Sequence, residues 1–128
     1  MRTLAREIVF KYVYSRLFNP DDEGLFDVLT KELNDDDKKF ALTIKNQIID
    51  NELEYLDKIS ALSIGFKLNR IYSADKCALL VGMAEFDLFK DTPRIVIIDE
   101  TVKIAAKFST DNSPDFVNGI MASYTAEK

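Results

Sequence analysis

The sequence predicts an all-α protein of six or seven helices, and three observations support that prediction. Apolar residues recur three or four positions apart along nearly all of the 128 residues, which is the spacing of a buried helix face. The chain has only 4 glycines and 3 prolines, too few for the many turns of a β-sandwich or barrel. Hydrophobic residues make up 47% of it, enough for a substantial core. No repeat or long linker divides the chain, so we expect one domain over residues 1–128.

Two helices are predicted before residue 34. The first begins near Leu4 and carries an apolar stripe that continues through Val13, until Pro20 and the acids after it interrupt the pattern. A short second helix follows over residues 25–33, where four large apolar side chains share one face.

A longer apolar pattern follows the acidic run Asn34 to Asp37, which offers several groups that can cap a helix N-terminus. The pattern runs from Phe40 past Asn51 to about Ile64. It predicts either one long helix or two abutting helices, with Gly65 as the C-terminal stop.

The next helix is predicted to start at Ser73, which can act as its cap, and to end before Thr92-Pro93. The segment "RIVIIDETVKIAAKF" is ambiguous, because its β-branched start would also suit a strand. A lone strand would have no partner in this chain, so we predict a helix from about Val96.

The last helix is predicted from Pro114 to about Tyr124. Ser113 supplies a capping hydroxyl, and proline is favoured at the first helical position. Asn118-Gly119 then places two poor helix formers inside the helix, at a cost of about 1 kcal/mol for the glycine. We expect Gly119 to permit a close approach of another helix or of a ligand, and favour helix packing.

The composition excludes several function classes. There is no histidine, so a Ser-His-Asp triad, a Cys-His pair and imidazole-bound zinc are impossible within the chain. No Gly-rich phosphate-binding motif occurs. The single cysteine, Cys77, rules out an internal disulfide, fits a reducing cytoplasm and lies on an apolar stripe where we expect it to be buried. The chain carries 22 acidic residues, but we interpret them as solvated helix surface and expect no catalytic residue, metal or cofactor.

Two segments carry a resemblance to a known family. "IDETVKIAAKFSTDNSPDFVNGIM" and "LNRIYSADKCALLVGMAEF" resemble the C-terminal signature and the preceding block of the NusB family of bacterial transcription antitermination factors. The start of the chain, with "ARE" and "YS", is also similar to that family.

The resemblance implies an all-α fold of two small helical bundles that share one core. It also implies a function: binding the boxA segment of ribosomal RNA transcripts together with the small-subunit ribosomal protein NusE, within an RNA polymerase complex that reads through terminators. The alternatives are a domain related to the N-terminal part of ribosomal RNA cytosine methyltransferases, and a helical adaptor that does not bind RNA.

The resemblance also implies a set of site residues. Those expected at the RNA are Arg2, Arg6, Phe108, Asn112 and Phe116. Arg2 and Arg6 stand four positions apart and so share a helix face, although the family commonly has four or more basic residues there. With a net charge of −5, we expect the isolated protein to bind RNA weakly.

The resemblance places the protein partner on a second surface, at Tyr14 and Glu85. An aromatic anchor beside an acid suits a basic ribosomal protein. Glu85 is expected to be an exposed helix charge, so that Glu85→Lys would weaken partner binding and leave the fold intact.

Overall fold

The computed structural model describes residues 2–19, 23–63 and 70–127, and in these ranges it contains six α-helices and no strand. The predicted all-α class is therefore confirmed. The helices are α1 (Thr3–Ser15), α2 (Glu23–Leu29), α3 (Asp35–Leu62), α4 (Ser73–Leu88), α5 (Arg94–Phe108) and α6 (Ser113–Ala126). None of the six is both long and apolar enough to cross a membrane. The predicted stop at Ile64 and Gly65 lies outside the described residues.

Helix α3 combines the two alternatives that its sequence left open. Asn34 caps it, since the Asn34 Oδ1 accepts a hydrogen bond of 2.8 Å from the backbone N–H of Asp37. The helix then runs to Leu62 with one interruption at Asn51, whose φ of −127° and ψ of 19° are not helical. The Asn51 side-chain amide donates to the backbone oxygen of Gln47 at 2.9 Å, which satisfies that carbonyl at the kink. The result is one continuous element made of two helical segments.

Helix α4 is the centre of the fold. It contacts α1, α3, α5 and α6, and every residue from Cys77 to Glu85 is buried. A helix that is apolar on all sides has no solvent face, so it must be covered by neighbours on each side. One pair of helices, α1 and α3, and a second pair, α5 and α6, supply that cover. Burial raises the pKa of the Cys77 thiol to about 12, as suits a small core residue.

The ambiguous segment of the second half is helical. Helix α5 begins at Arg94, two residues before the predicted start, and Ile97 and Ile98 are buried in the core. The exposed Ile95 and Val96 precede them. Ser73 is the first residue of α4 and its side chain does not cap it, so that prediction is wrong; Tyr72 occupies the cap position.

The two helical glycines have opposite surroundings. A Cβ atom on Gly82 would overlap the Thr101 Oγ1 atom and lie 2.8 Å from Thr101 Cγ2 and 3.0 Å from Met121 Cε. Thr101 cannot yield easily, because its hydroxyl is bonded to the Ile97 oxygen at 2.7 Å. A Cβ atom on Gly119 would meet nothing within 4 Å. The expectation that Gly119 serves helix packing is therefore wrong, and Gly82 is the glycine that does.

We predict opposite effects of alanine at these two positions. Gly82→Ala overpacks the contact between α4 and α5 and should lower the free energy of unfolding by about 1–3 kcal/mol. Gly119→Ala meets no obstacle and should raise it by up to about 1 kcal/mol through helix propensity. Urea unfolding of both variants measures the two values. Changes of the same sign would contradict the packing described for Gly82.

Candidate nucleic-acid interface

The seven predicted site residues lie in four different places. Arg6 and Glu85 are paired inside the protein, and Arg2 lies at the start of α1. Tyr14 and Phe108 share an apolar groove, and Asn112 and Phe116 share a cavity at the corner between α5 and α6.

Arg6 and Glu85 form a buried ion pair that joins α1 to α4. The Arg6 Nε and Nη2 atoms each donate to a Glu85 carboxylate oxygen at 2.7 Å. Arg6 is 7% exposed and Glu85 is 1% exposed. A second acid, Glu100 on α5, places its Oε1 3.5 Å from Arg6 Nη1 and accepts from the Thr3 hydroxyl at 3.0 Å. Burial alone would lower the pKa of Arg6, but the hydrogen bond and charge of Glu85, with the charge of Glu100, raise it overall.

The expectation that Glu85 is an exposed helix charge is therefore wrong. The physical reason is that α4 is covered on every side, so no face of its Cys77–Glu85 segment reaches solvent. The residues around Glu85, "LLVGMAEF", are nearly all apolar, and this composition indicates burial although the spacing alone does not. The guanidinium group of Arg6 bonds acids inside the protein. Its predicted contact with RNA stays a prediction.

Arg2 is exposed and is positioned by aromatic rings. Its guanidinium carbon lies 4.4 Å from the centre of the Phe40 ring and 5.7 Å from that of Phe89, which is cation–π distance. Lys39 lines the same shallow cavity of about 300 Å³. Arg2 is eight residues from Phe10, which is roughly 12 Å along the helix axis.

A cavity of about 150 Å³, which we call the corner cavity, separates the start of α4 from the α5–α6 corner. Its walls combine aromatic rings with polar groups of both hydrogen-bonding types. One side is formed by Arg70, Ile71, Tyr72 and Asp75, and the other by Thr110, Asn112, Ser113 and Phe116.

Hydrogen bonds of side-chain hydroxyl groups stabilise the α5–α6 corner. The Ser109 hydroxyl donates to Asp75 Oδ1 at 2.6 Å, and the Ser113 hydroxyl donates to Ser109 Oγ at 2.9 Å. Ser113 Oγ also accepts from the backbone N–H of Thr110 at 3.1 Å. Ser113 was predicted to cap α6, but its side chain bonds the preceding turn, and Asn112 takes the cap position without a side-chain bond. The corner is therefore held in shape by side chains that are themselves buried, since Asp75 is 3% and Ser113 1% exposed.

A second depression, which we call the aromatic groove, lies along α1. It has a volume of about 420 Å³ and is lined by Phe10, Lys11, Tyr14, Ser15, Phe18, Ala74 and Phe108. Four rings follow one another through it, with centres separated by 5.0 Å (Phe108 to Phe10), 5.9 Å (Phe10 to Tyr14) and 5.6 Å (Tyr14 to Phe18). Phe18 is 70% exposed at its open end. Phe10 is buried, and Tyr14 and Phe108 are half-buried. Partly exposed aromatic rings of this kind are common at protein-binding sites.

Comparison with known proteins places this arrangement in a family. The model of the NusB family matches residues 2–126. The chain belongs to the NusB family. Two relatives named transcription antitermination protein NusB are similar over nearly their whole length. The protein from Alkaliphilus oremlandii is 31% identical, covering 99% of this chain and 94% of the relative. The protein from Natranaerobius thermophilus is 33% identical, covering 94% and 91%.

Solved NusB structures share the fold. NusB from T. maritima superposes with a TM-score of 0.92 at 30% identity and covers 99% of this chain and 92% of its own. A structure of antitermination factors NusB and NusE in complex with double-stranded RNA matches with a TM-score of 0.86 at 21% identity, covering 99% and 97%. The expected NusB fold is confirmed by these likenesses.

Sequence reasoning did not select three residues of the corner cavity, Arg70, Tyr72 and Asp75. Arg70 and Asp75 belong to the second of the two blocks that resemble the NusB family, so a signal was present. What the chain order does not show is that the start of α4 lies against the α5–α6 corner, 34 residues away between Asp75 and Ser109.

We predict that Glu85→Lys destabilises the protein instead of leaving the fold intact. The substitution buries an ammonium group beside Arg6 and removes the carboxylate that compensates it, so the free energy of unfolding should fall by about 3–5 kcal/mol or more. Glu85→Gln, which keeps the shape and one acceptor, should cost less. Asp57→Lys, an exposed change on α3, should stay within about 0.5 kcal/mol. Urea unfolding compares the three, and a Glu85→Lys protein as stable as Asp57→Lys would refute the buried pair.

Proposed function

We propose that this protein is a transcription antitermination factor. It binds the boxA segment of ribosomal RNA transcripts together with the ribosomal protein NusE, and the pair acts within an RNA polymerase complex that reads through terminators. Membership of the NusB family supports this proposal, and so does the match to a NusB–NusE complex with RNA. We propose that antitermination by this protein takes place in the cytoplasm, with the transcription machinery. We also propose that residues 1–128 form one binding domain without catalytic activity.

The corner cavity is the observation that carries the RNA part of the proposal. Sequence-specific recognition of RNA uses unstacked bases, which stack on aromatic rings and present their edges to hydrogen-bonding groups. The cavity, of about 150 Å³, includes the aromatic residues Tyr72 and Phe116 in its lining, and we propose that a base stacks on one of these rings. Asn112 offers both a donor and an acceptor, and it is exposed at the rim. Arg70, also exposed, supplies a positive charge for the adjoining phosphate.

Among the residues that line the corner cavity, Arg70 is the one cation for the RNA backbone. Arg6 is internal, Lys107 is paired with Glu7 at 2.8 Å, and the net charge of the chain is −5. Arg70 is exposed at the corner cavity, and Arg2 is exposed beside Lys39 at the start of α1. Because cations supply most of the affinity for RNA, the protein alone should bind weakly and depend on a basic partner. The burial of Arg6 also favours the alternative of a helical adaptor without RNA binding, and the experiment below separates the two.

The aromatic groove is the surface we propose for NusE. Tyr14 lies in its middle and contributes a large amphipathic ring, which is the type of side chain that dominates protein interfaces. We expect no acid from Glu85 beside Tyr14, because the Glu85 carboxylate bonds Arg6. Arg6 lies eight residues before Tyr14, about 12 Å along α1. We therefore expect aromatic burial, and not a charge pair at Glu85, to anchor the partner.

For RNA, we predict that the isolated protein binds boxA weakly with a shallow salt dependence, and that NusE makes binding tighter and the dependence steeper. Phe116→Ala and Asn112→Ala should reduce the preference for boxA over scrambled RNA by about tenfold, because they remove stacking and edge contacts. Arg2→Ala should weaken the binding of boxA and of scrambled RNA equally. It should also reduce the slope of log affinity against log salt concentration by about 0.7.

Filter binding at several salt concentrations measures all of these quantities. A complex with NusE that shows no preference for boxA would contradict the antitermination function and favour the adaptor. Tight binding with a steep slope by the protein alone would mean that the cationic surface lies elsewhere.

For the partner, we predict that Tyr14→Ala weakens NusE binding by at least about tenfold, since a central aromatic anchor is commonly worth more than 1 kcal/mol. The matched control is Leu53→Ala, which truncates a side chain that is 79% exposed on α3, away from the groove. Isothermal calorimetry gives both affinities. If the two variants bind NusE with equal affinity, NusE does not bind in the aromatic groove.

A further inference from the structure

A further depression, which we call the polar cleft, lies where α3, α4 and α6 meet. Its volume is about 280 Å³, and among the described residues it shares no lining side chain with the corner cavity or the aromatic groove. This volume suits one side chain or a small polar molecule, because pockets for larger ligands start at about 300 Å³. The lining consists of Gln47, Asn51, Glu54, Tyr55 and Lys58 of α3, Asp87 of α4 and Tyr124 of α6.

Two buried tyrosines bond one acid of the polar cleft. The Tyr55 hydroxyl donates to Asp87 Oδ2 at 2.8 Å, and the Tyr124 hydroxyl donates to the same oxygen at 2.8 Å. Tyr55 is 4% exposed and Tyr124 is 3% exposed. Burial is the largest cause that raises the pKa of both phenols, and the hydrogen bond and charge of Asp87 add to it. Both tyrosines are therefore donors, and Asp87 is their acceptor.

The direction of those bonds also orients the two amides of the cleft. Because the Tyr55 proton goes to Asp87, the Tyr55 oxygen accepts from Gln47, whose Nε2 lies 2.9 Å away. The Asn51 Nδ2 donates to the backbone oxygen of Gln47 at 2.9 Å, and a carbonyl can only accept. Each amide thus directs its nitrogen to a partner inside the protein. The side-chain oxygens of Gln47 and Asn51 are the acceptors that these half-buried residues offer a ligand.

The charges of the cleft favour a cationic ligand. Glu54 adds an exposed carboxylate to the lining. Lys58 is the one cation among the described lining residues, and its Nζ lies 2.7 Å from Glu127 Oε2, which compensates it locally. Over the ranges that the structure describes, no group of three or more acids or cysteines is arranged to hold a metal ion. The ligand that suits these acceptors is therefore an organic cation with several N–H donors.

We propose that the polar cleft binds a guanidinium group, as an arginine side chain carries it. A guanidinium is planar, always charged and has five N–H donors and no acceptor. Gln47, Asn51 and Glu54 follow one another at intervals of four and three residues, so their oxygens lie along one face of α3. A fork of donors can bond several of these oxygens at once, whereas an ammonium group is a compact point charge. The tyrosine rings of the lining offer surfaces on which a guanidinium stacks. This inference is independent of the proposed function, because it involves neither RNA nor NusE.

An NMR titration of the labelled protein tests the proposal through the backbone and side-chain amide signals of Gln47 and Asn51. The first probe is the blocked peptide acetyl-Gly-Arg-Gly-amide. The second contains lysine in place of arginine, and the third contains citrulline, which has a neutral urea group of nearly the same shape. We expect a dissociation constant of about 1 mM for the arginine peptide, as for a small ligand with few contacts. Binding should be about threefold weaker or more with lysine, and about tenfold weaker or more with citrulline.

Two matched variants show whether the effect belongs to the cleft. Glu54→Gln keeps the size of an exposed side chain and removes its charge, so it should weaken binding of the arginine peptide by about threefold or more. Asp57→Asn neutralises another exposed acid of α3, one that does not line the cleft, and should leave the affinity within about twofold. Circular dichroism establishes that both variants are folded.

Ethylguanidine, as a fourth probe, identifies the source of the group. Tighter binding of the arginine peptide than of ethylguanidine supports an arginine of a protein segment, and the reverse order supports a free small guanidine.

Several results would overturn guanidinium recognition. They are equal binding of the arginine and citrulline peptides, equal binding of the arginine and lysine peptides, and equal affinities of Glu54→Gln and Asp57→Asn. An arginine peptide that shifts no signal at Gln47 or Asn51 would also overturn it.

Discussion

The bidentate bond between Arg6 and Glu85 sets the register of α1 against α4, and the remaining sites depend on that register. Arg6, Phe10 and Tyr14 stand four residues apart, so they lie in succession along one face of α1. With Arg6 fixed on the C-terminal half of α4, Phe10 meets Phe108 and Tyr14 reaches the groove beside Ala74 near the start of α4. A shift of one turn would separate all of these contacts at once. A buried ion pair is weak evidence for stability, and here its evident consequence is a unique alignment.

The burial of Arg6 beside Glu85 has an electrostatic consequence. Arg6, which the sequence predicts in a basic patch, compensates two acids of the core, Glu85 and Glu100. The surface at the corner cavity is consequently aromatic and polar more than it is cationic. Such a surface can distinguish bases but supplies little general attraction for phosphates. A basic partner in the neighbouring groove would provide the charge that the chain lacks.

Local features of the fold were largely predictable from the sequence. The capping run from Asn34 to Asp37, the alternative of two abutting segments in α3 and the helical nature of "RIVII" were all predicted from the residue pattern along the chain. The burial of Glu85 and the open space around Gly119 did not follow, because both depend on which helix faces cover which neighbours. Periodicity identifies an apolar stripe but does not identify its partner. The same limit explains why Asn112 and Phe116 were found by resemblance, while Tyr72 on the opposite wall was not.

The central claim of our proposal is that the corner cavity recognises the bases of boxA, while Arg2 at the start of α1 contributes only a charge that does not distinguish sequences. An NMR titration of the labelled protein, bound to unlabelled NusE, with boxA or scrambled RNA tests it most directly. The account predicts that boxA shifts the amide signals of Arg70, Asn112 and Phe116 more than scrambled RNA does, with little difference between the two RNAs around Arg6 and Glu85. Shifts specific to boxA that cluster around Arg6 and Glu85 and spare the corner cavity would contradict it.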